Sequence, residues 1–384
     1  MQVEARSATL TANIYDRIGV DRIINASGAT TAVGGTLMVP EAVAAMVEAS
    51  QSFVVIHDLN ARVGKAIAAA TGAEAGYVTA GSASGMLLAV AACVTGTDRA
   101  RAKRLPDTTG MPNEVIIHRC HYIGYEQMFR APGARLIEIG GLNSTSAWEL
   151  EAAINERTAA IAWVDSFNIV DGALDFQTVV EIAQRHNVPV IVDAASTLPP
   201  ASHLTRWIAQ GADLVIYSGG KGIRGPQDSG LLAGRKDLID AAVIHGSPNA
   251  GLGRGMKTSK EAIAGLYAAL EWFTTHDHDA EFQDRIAQAR MMQTNLERRA
   301  DTCCLLFADP EQYPAPLLGV HPVDNAWNPA DIVAALKAGK PPIHCKAPRD
   351  GGVDINMHCL FPGEAEQILD RLHAILDDRA GAAR

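Results

Sequence analysis

Short runs of apolar, mostly β-branched residues recur through the middle of the chain, and stretches with apolar positions every three or four residues lie between them. Seven runs read as strands, at 76–79, 114–118, 135–139, 160–164, 188–192, 214–217 and 230–233. The run from Val188 to Val192 has no polar alternation, the pattern of a strand buried on both faces of a parallel sheet. Helical spacing appears at 148–154 and 176–186, and Pro40 is well placed as the first residue of a helix over 40–49. The alternation predicts an α/β fold with a mostly parallel seven-stranded sheet covered on both faces. On this reading residues 1–50 form an N-terminal arm, 51–255 the large domain, and 256–384 a linking helix and a smaller C-terminal α/β domain. A long helical stretch covers 259–299, and Pro310, Pro314, Pro316, Pro322 and Pro329 make 310–330 an irregular connector.

Composition narrows the function classes. The 384 residues are 48% hydrophobic and 20% charged, enough for two or three domains around substantial cores. A formal net charge of −10 argues against a nucleic-acid partner. No apolar run approaches the about 18 residues of a membrane span, and the N-terminus lacks a signal-peptide core, so no membrane partner is expected. Cysteines 93, 120, 303, 304, 345 and 359 have neither disulfide nor zinc-ribbon spacing, which points to a reduced cytoplasm.

The candidate chemistry begins where the run 214–217 ends in Ser218-Gly219-Gly220-Lys221. A lysine in a turn is ordinarily solvated. Here the flanking glycines would let the backbone turn tightly and leave the long side chain to enter a cavity. Gly220, Gly222 and Gly225 also match G-x-G-x-x-G, but Pro226 and the apolar 230–233 run predict a following strand, not the helix a dinucleotide site requires. Upstream, Asp193 closes the run 188–192, at the strand end where open α/β sheets place ligands. A lone aspartate there often only caps a turn. An aspartate and a lysine at neighbouring strand ends suit pyridoxal 5'-phosphate (PLP): the carboxylate keeps the pyridine nitrogen protonated and the amine forms the Schiff base.

In VPVIVDAAS (188–196) and SGGKGIRGPQDSG (218–230), with INASG (24–28) before them and GEAEQILDRL (363–372) near the end, the chain resembles the fold-type I PLP enzymes. Within them it is similar to the selenocysteine synthase-like branch, which holds selenium transferases and ammonia-lyases of the D-glucosaminate-6-phosphate type. The segment 79–96 has the form of a phosphate cup: Gly81, Ser82, Ala83 and Ser84 lack bulk, and an apolar helix follows. The alternative is a simple helix start. Ser218 matches the family position whose hydroxyl contacts the same phosphate. The resemblance implies that His121 stacks on the pyridine ring, that Ala195 packs on its opposite face, and that Ser196 reaches the phenolic oxygen. A half-buried histidine with no such role is the competing reading of His121. Metal ligation by His118, Cys120 and His121 lacks a supporting cluster, and the HDHD run at 276–279 reads as a solvated segment, so no metal is expected.

Substrate contacts are expected from Asn25, Ser27, Arg224, Arg254, Lys257 and His358, with Gln227, Lys260, Lys346 and Arg349 nearby in sequence. Lys257 replaces the middle arginine of the family's basic run. The resemblance implies a PLP-dependent lyase that abstracts a Cα proton from a small hydroxy-amino acid or amino-sugar acid, giving a keto acid and ammonia. An aldolase, racemase, aminotransferase or non-catalytic PLP-binding protein is the alternative. Because INASG begins at Ile24, no room is expected for a tRNA-recognition domain. A homodimer or higher homo-oligomer acting on a small molecule is expected.

Overall fold

The computed structural model describes residues 13–141, 143–166, 171–348 and 351–382. They divide into two compact units. One comprises Ala29–Glu281 with Pro310–Pro314; the other comprises the described part of Met1–Gly28, Phe282–Asp309 and the described part of Ala315–Arg384. These boundaries differ from the division at 50/51 and 255/256, because residues 24–28 pair with the C-terminal part while 29–50 pack on the large unit.

The large unit is built on seven strands: β1 (Ala75–Thr79), β2 (Glu114–His118), β3 (Arg135–Ile139), β4 (Thr158–Val164), β5 (Val190–Asp193), β6 (Leu214–Ser218) and β7 (Gly230–Gly234). Their spatial order is β1-β7-β6-β5-β4-β2-β3. Only β7 runs antiparallel to its neighbours. Both faces are buried, and the period of two shows within single strands. Ile116, Val190, Val192 and Val215 join one core, whereas Val115, Ile117, Ile191 and Ile216 join the other.

The helices that frame the site are α1 (Pro40–Ser50), α2 (Ile56–Thr71), α3 (Gly81–Thr95), α4 (Phe176–His186), α5 (Lys260–Thr275) and α6 (His278–Leu296). Strand β5 starts two residues later than expected. Asn187 takes a left-handed φ of 54° after α4, the Val188 amide closes that helix on the Ala183 carbonyl, and Pro189 has no amide to donate. The expected helical stretch over 259–299 is broken at His276 and Asp277, and Asp277 accepts from the Ala280 amide at 2.9 Å to start α6. Gly265 of α5 lets α1 come close, since a Cβ there would lie 2.7 Å from Met46 Cγ.

In the smaller unit Ile24–Asn25 pairs in parallel with Ile343–His344. A three-stranded antiparallel sheet has Leu317–Pro322 at its centre, between Thr302–Phe307 and Val353–Asn356. The segment 310–330 is therefore not wholly irregular: its prolines bracket a strand. Leu318, Val320, Ile332, Ile355 and Leu372 form this unit's core.

Candidate active site

Strands β5 and β6 carry the central pair. Asp193, the last residue of β5, is 4% exposed, and its Oδ1 accepts from the Ala195 amide at 3.1 Å. Burial pushes its pKa up to about 6; the Ala195 hydrogen bond and the Lys221 charge oppose the rise, and Asp165 adds to it. Lys221 follows β6 by three residues and is half-buried. Its loop is tied down by Thr36, whose Oγ1 lies 3.0 Å from the Gly220 carbonyl oxygen and 2.7 Å from that of Lys221.

The glycines of this loop do something other than expected. A Cβ at Gly222 would lie 2.2 Å from the Leu198 carbonyl oxygen, and one at Gly220 2.4 Å from Gln227 Cα. They permit backbone to pack on backbone, so the lysine is anchored rather than loosened. The left-handed residue of the turn is Arg224, at φ 57°.

The small residues after β1 have the form of an anion cup. Gly81 opens α3 with φ 81°, a Cβ on it would meet nothing within 4 Å, and no side chain caps the helix. Its first amides and the positive end of its dipole are thus available to an anion. The Ser84 hydroxyl donates to the Ala80 carbonyl at 2.8 Å, so Ser84 shapes the turn from within. Gly230 of the antiparallel β7 lets that strand pack close to the turn: a Cβ there would lie 2.7 Å from Gly81 C and 2.9 Å from Ser82 N. Gly230 pairs with both Thr79 and Ser218, which puts Ser218 beside the cup.

His121 sits in the turn after β2 and is 2% exposed. Its Nδ1 accepts from the Val164 amide at 3.3 Å, and its ring meets Trp163 edge-on with centroids 4.7 Å apart. Burial, and then the neighbouring His118, hold its pKa down at about 3, so the ring is neutral. His118 ends β2, accepts from the Leu174 amide through Nε2, and is likewise held down by burial, at about 4. Ala195 and Ser196 lie half-buried just past Asp193.

Asp165 was not anticipated. It directly follows β4, beside Asp193 at the end of β5, and its amide donates to the Asp193 carbonyl at 2.8 Å. Burial raises its pKa, while the Arg206 and His203 charges lower it. Its signal was in the sequence: Val164-Asp165 repeats Val192-Asp193.

The expected substrate residues divide between the two units. Arg224 is already committed: its Nη2 pairs with Glu281 Oε1 at 2.5 Å and its guanidinium lies 5.5 Å from the Trp272 ring centroid. It is thus part of the scaffold. Arg254 and Lys257 are exposed, whereas Lys260 is held by Glu261 and the Ala49 carbonyl. Asn25, Ser27 and His358 belong to the smaller unit. Asn25 Oδ1 accepts from the Ser27 amide and hydroxyl, and buried His358 donates its amide to Asn356 Oδ1 at 2.9 Å. Arg349 lies outside the described residues.

The L-seryl-tRNA selenium transferase family matches residues 23–303. The D-glucosaminate-6-phosphate ammonia lyase of Salmonella typhimurium is 34% identical over 384 residues, covering 97% of this chain and 100% of that protein. The 5'-C-glycyluridine monooxygenase-decarboxylase of a Streptomyces species is 34% identical over 386 residues, covering 96% and 93%. A solved structure of D-glucosaminate-6-phosphate ammonia-lyase superposes with a TM-score of 0.82 at 33% identity, over 97% of this chain and 100% of that one.

Proposed function

The chain belongs to the L-seryl-tRNA selenium transferase family, with its fold-type I architecture, and from that premise we propose that it is a PLP-dependent ammonia-lyase acting on an amino-sugar acid. The carrying observation is Asp193 at the end of one strand and Lys221 just past the end of the next, with an uncapped, sterically open helix start at the same sheet. The residues fit the cofactor. A carboxylate buried this deeply carries its charge at a cost that a further N–H or cation facing it would relieve, and a pyridinium nitrogen would supply one. Gly81, Ser82, Ala83, Ser84 and Ser218 would hold the phosphate, His121 and Ala195 the ring faces, and Ser196 its phenolic oxygen.

Bound there, PLP supplies an electron sink that acidifies the proton on the carbon bearing the substrate amine. Lys221 would hold the cofactor covalently and, once displaced by the substrate amine, would take the Cα proton as a free amine. Asp193 keeps the sink charged. Neutral His121 excludes water from one face without adding a competing charge. Loss of the β-hydroxyl as water, followed by hydrolysis of the nitrogen-bearing carbon, consumes one water for the one released. The net products are a 2-keto acid and ammonia.

Exposed Arg254 and Lys257 suit an anionic tail, in keeping with the phosphorylated substrate in the lyase relative's name. Equal identity to a monooxygenase-decarboxylase supports a second reading, oxidative decarboxylation of an amino acid. One assay separates them: incubation with D-glucosaminate 6-phosphate and with nucleoside amino acids, scoring ammonia and keto acid against carbon dioxide and oxygen uptake. Ammonia and keto acid without oxygen uptake support the lyase; oxygen-dependent carbon dioxide release refutes it.

The partner is a second copy of the chain. Leu37, Val43, Val47, Phe53, Val54 and Val55 are all at least 43% exposed on and around α1, which favours at least a homodimer. No helix among the described residues is long and apolar enough to cross a membrane. All six cysteines are free, which supports a cytoplasmic location.

A further inference from the structure

We propose that His276, His278 and Glu281 form a site for one divalent transition-metal ion of the zinc type, which fastens the start of α6 to the loop carrying Lys221. The site is independent of the proposed lyase chemistry. It arises where α5 ends at Thr275 and His276 turns extended, with φ −74° and ψ 143°. The His276 ring stacks on Trp272, centroids 4.3 Å apart and planes 26° apart, which aims Nε2 at Glu281 Oε2, 3.2 Å away.

His278 is the decisive member. It is 8% exposed, and its Nε2 lies 2.8 Å from the Phe273 carbonyl oxygen. A carbonyl only accepts, so Nε2 carries the proton and Nδ1 is left as a bare lone pair. That Nδ1 is buried and has no hydrogen-bond partner among the described residues. A ring N–H held by a backbone carbonyl with the opposite nitrogen presented is the arrangement metal-binding histidines adopt. One ligand atom from each of the three residues lies within 4.8 Å of the others. Tetrahedral ligands 2.0–2.1 Å from zinc stand about 3.3 Å apart, close to the His276–Glu281 separation already present.

Two imidazoles and one carboxylate favour zinc or cobalt over magnesium or calcium, and water completes the fourth position. Glu281 would use Oε2 for the ion while Oε1 keeps Arg224, three residues after Lys221. The positive charge this gathers is offset by Asp277 and Asp279, both exposed beside the site.

The test is titration of chelator-treated protein with Co2+ and then Zn2+. One equivalent of Co2+ should give the intense visible bands of a tetrahedral site, and Zn2+ should abolish them. His276→Gln should weaken Co2+ by at least about a hundredfold, beyond the 10- to 100-fold loss typical of an outer-shell partner. Binding that is unchanged in His276→Gln, or only weak octahedral bands in the unsubstituted protein, overturns the proposal. Should that variant not fold, ring 15N spectra of the unsubstituted protein decide: Zn2+ must move Nε2 of His276 and Nδ1 of His278, and unmoved resonances overturn it.

Discussion

Asp193→Asn removes a charge that the fold holds at a cost. Burial raises the carboxyl pKa from 3.8 to about 6, and a shift of about two units amounts to about 3 kcal/mol at 1.36 kcal/mol per unit. The folded state binds this proton more tightly than the unfolded chain. The cofactor-free protein therefore keeps the associated stability below about pH 4 and loses it as the pH rises through about 6. Asparagine does not titrate. Its amide adds an unsatisfied donor costing about 1–3 kcal/mol, but equally at every pH. The stability of the variant relative to the parent should thus rise by up to about 3 kcal/mol between about pH 4 and pH 7, while turnover collapses. Urea unfolding of both cofactor-free proteins, followed by the fluorescence of buried Trp163 and Trp207 in the same core, measures the first effect. A stability difference that does not change with pH refutes the burial argument, and undiminished turnover removes Asp193 from the chemistry.

Borohydride should fix PLP on Lys221, and Lys221→Ala should leave the protein unlabelled by mass spectrometry; label recovered on another lysine contradicts the assignment. Gly222→Ala forces a Cβ to 2.2 Å from the Leu198 carbonyl and should destabilise by about 1–3 kcal/mol with loss of PLP retention. Gly255→Ala, where a Cβ meets nothing within 4 Å, should leave melting and activity unchanged, and equal effects of the two would undo the packing argument. Sedimentation should give a dimer or larger, and Val47→Asp on exposed α1 should shift it toward monomer; a fully active monomeric parent speaks against a shared site.

Much of the site was legible because its signals are local. Asp193 and Lys221 each stand at the end of an apolar run, and strand ends can be read from a few residues. The open, uncapped helix start was legible for the same reason, as four small residues ahead of an apolar helix. Asp165 carries the same local signal, but a single aspartate after a strand is also an ordinary turn residue, so the signal alone does not single it out. The ion pair of Arg224 was not legible, because its partner Glu281 lies 57 residues away, beyond any local pattern. The HDHD run read as solvated because periodicity does not reveal that His278 turns inward to the Phe273 carbonyl.

The chain by itself determined the strand–helix alternation, the pair of strand-end residues and the glycine-rich loop, since these depend on side-chain period and backbone freedom over short spans. Tertiary structure decided what those features are for. It put the antiparallel β7 between β6 and β1, so that Gly230 brings Ser218 beside Gly81. It also made the loop glycines points of backbone contact rather than points of freedom. Such outcomes depend on which distant segments share space, and the close approach that selects a glycine or commits an arginine exists only after the chain has packed.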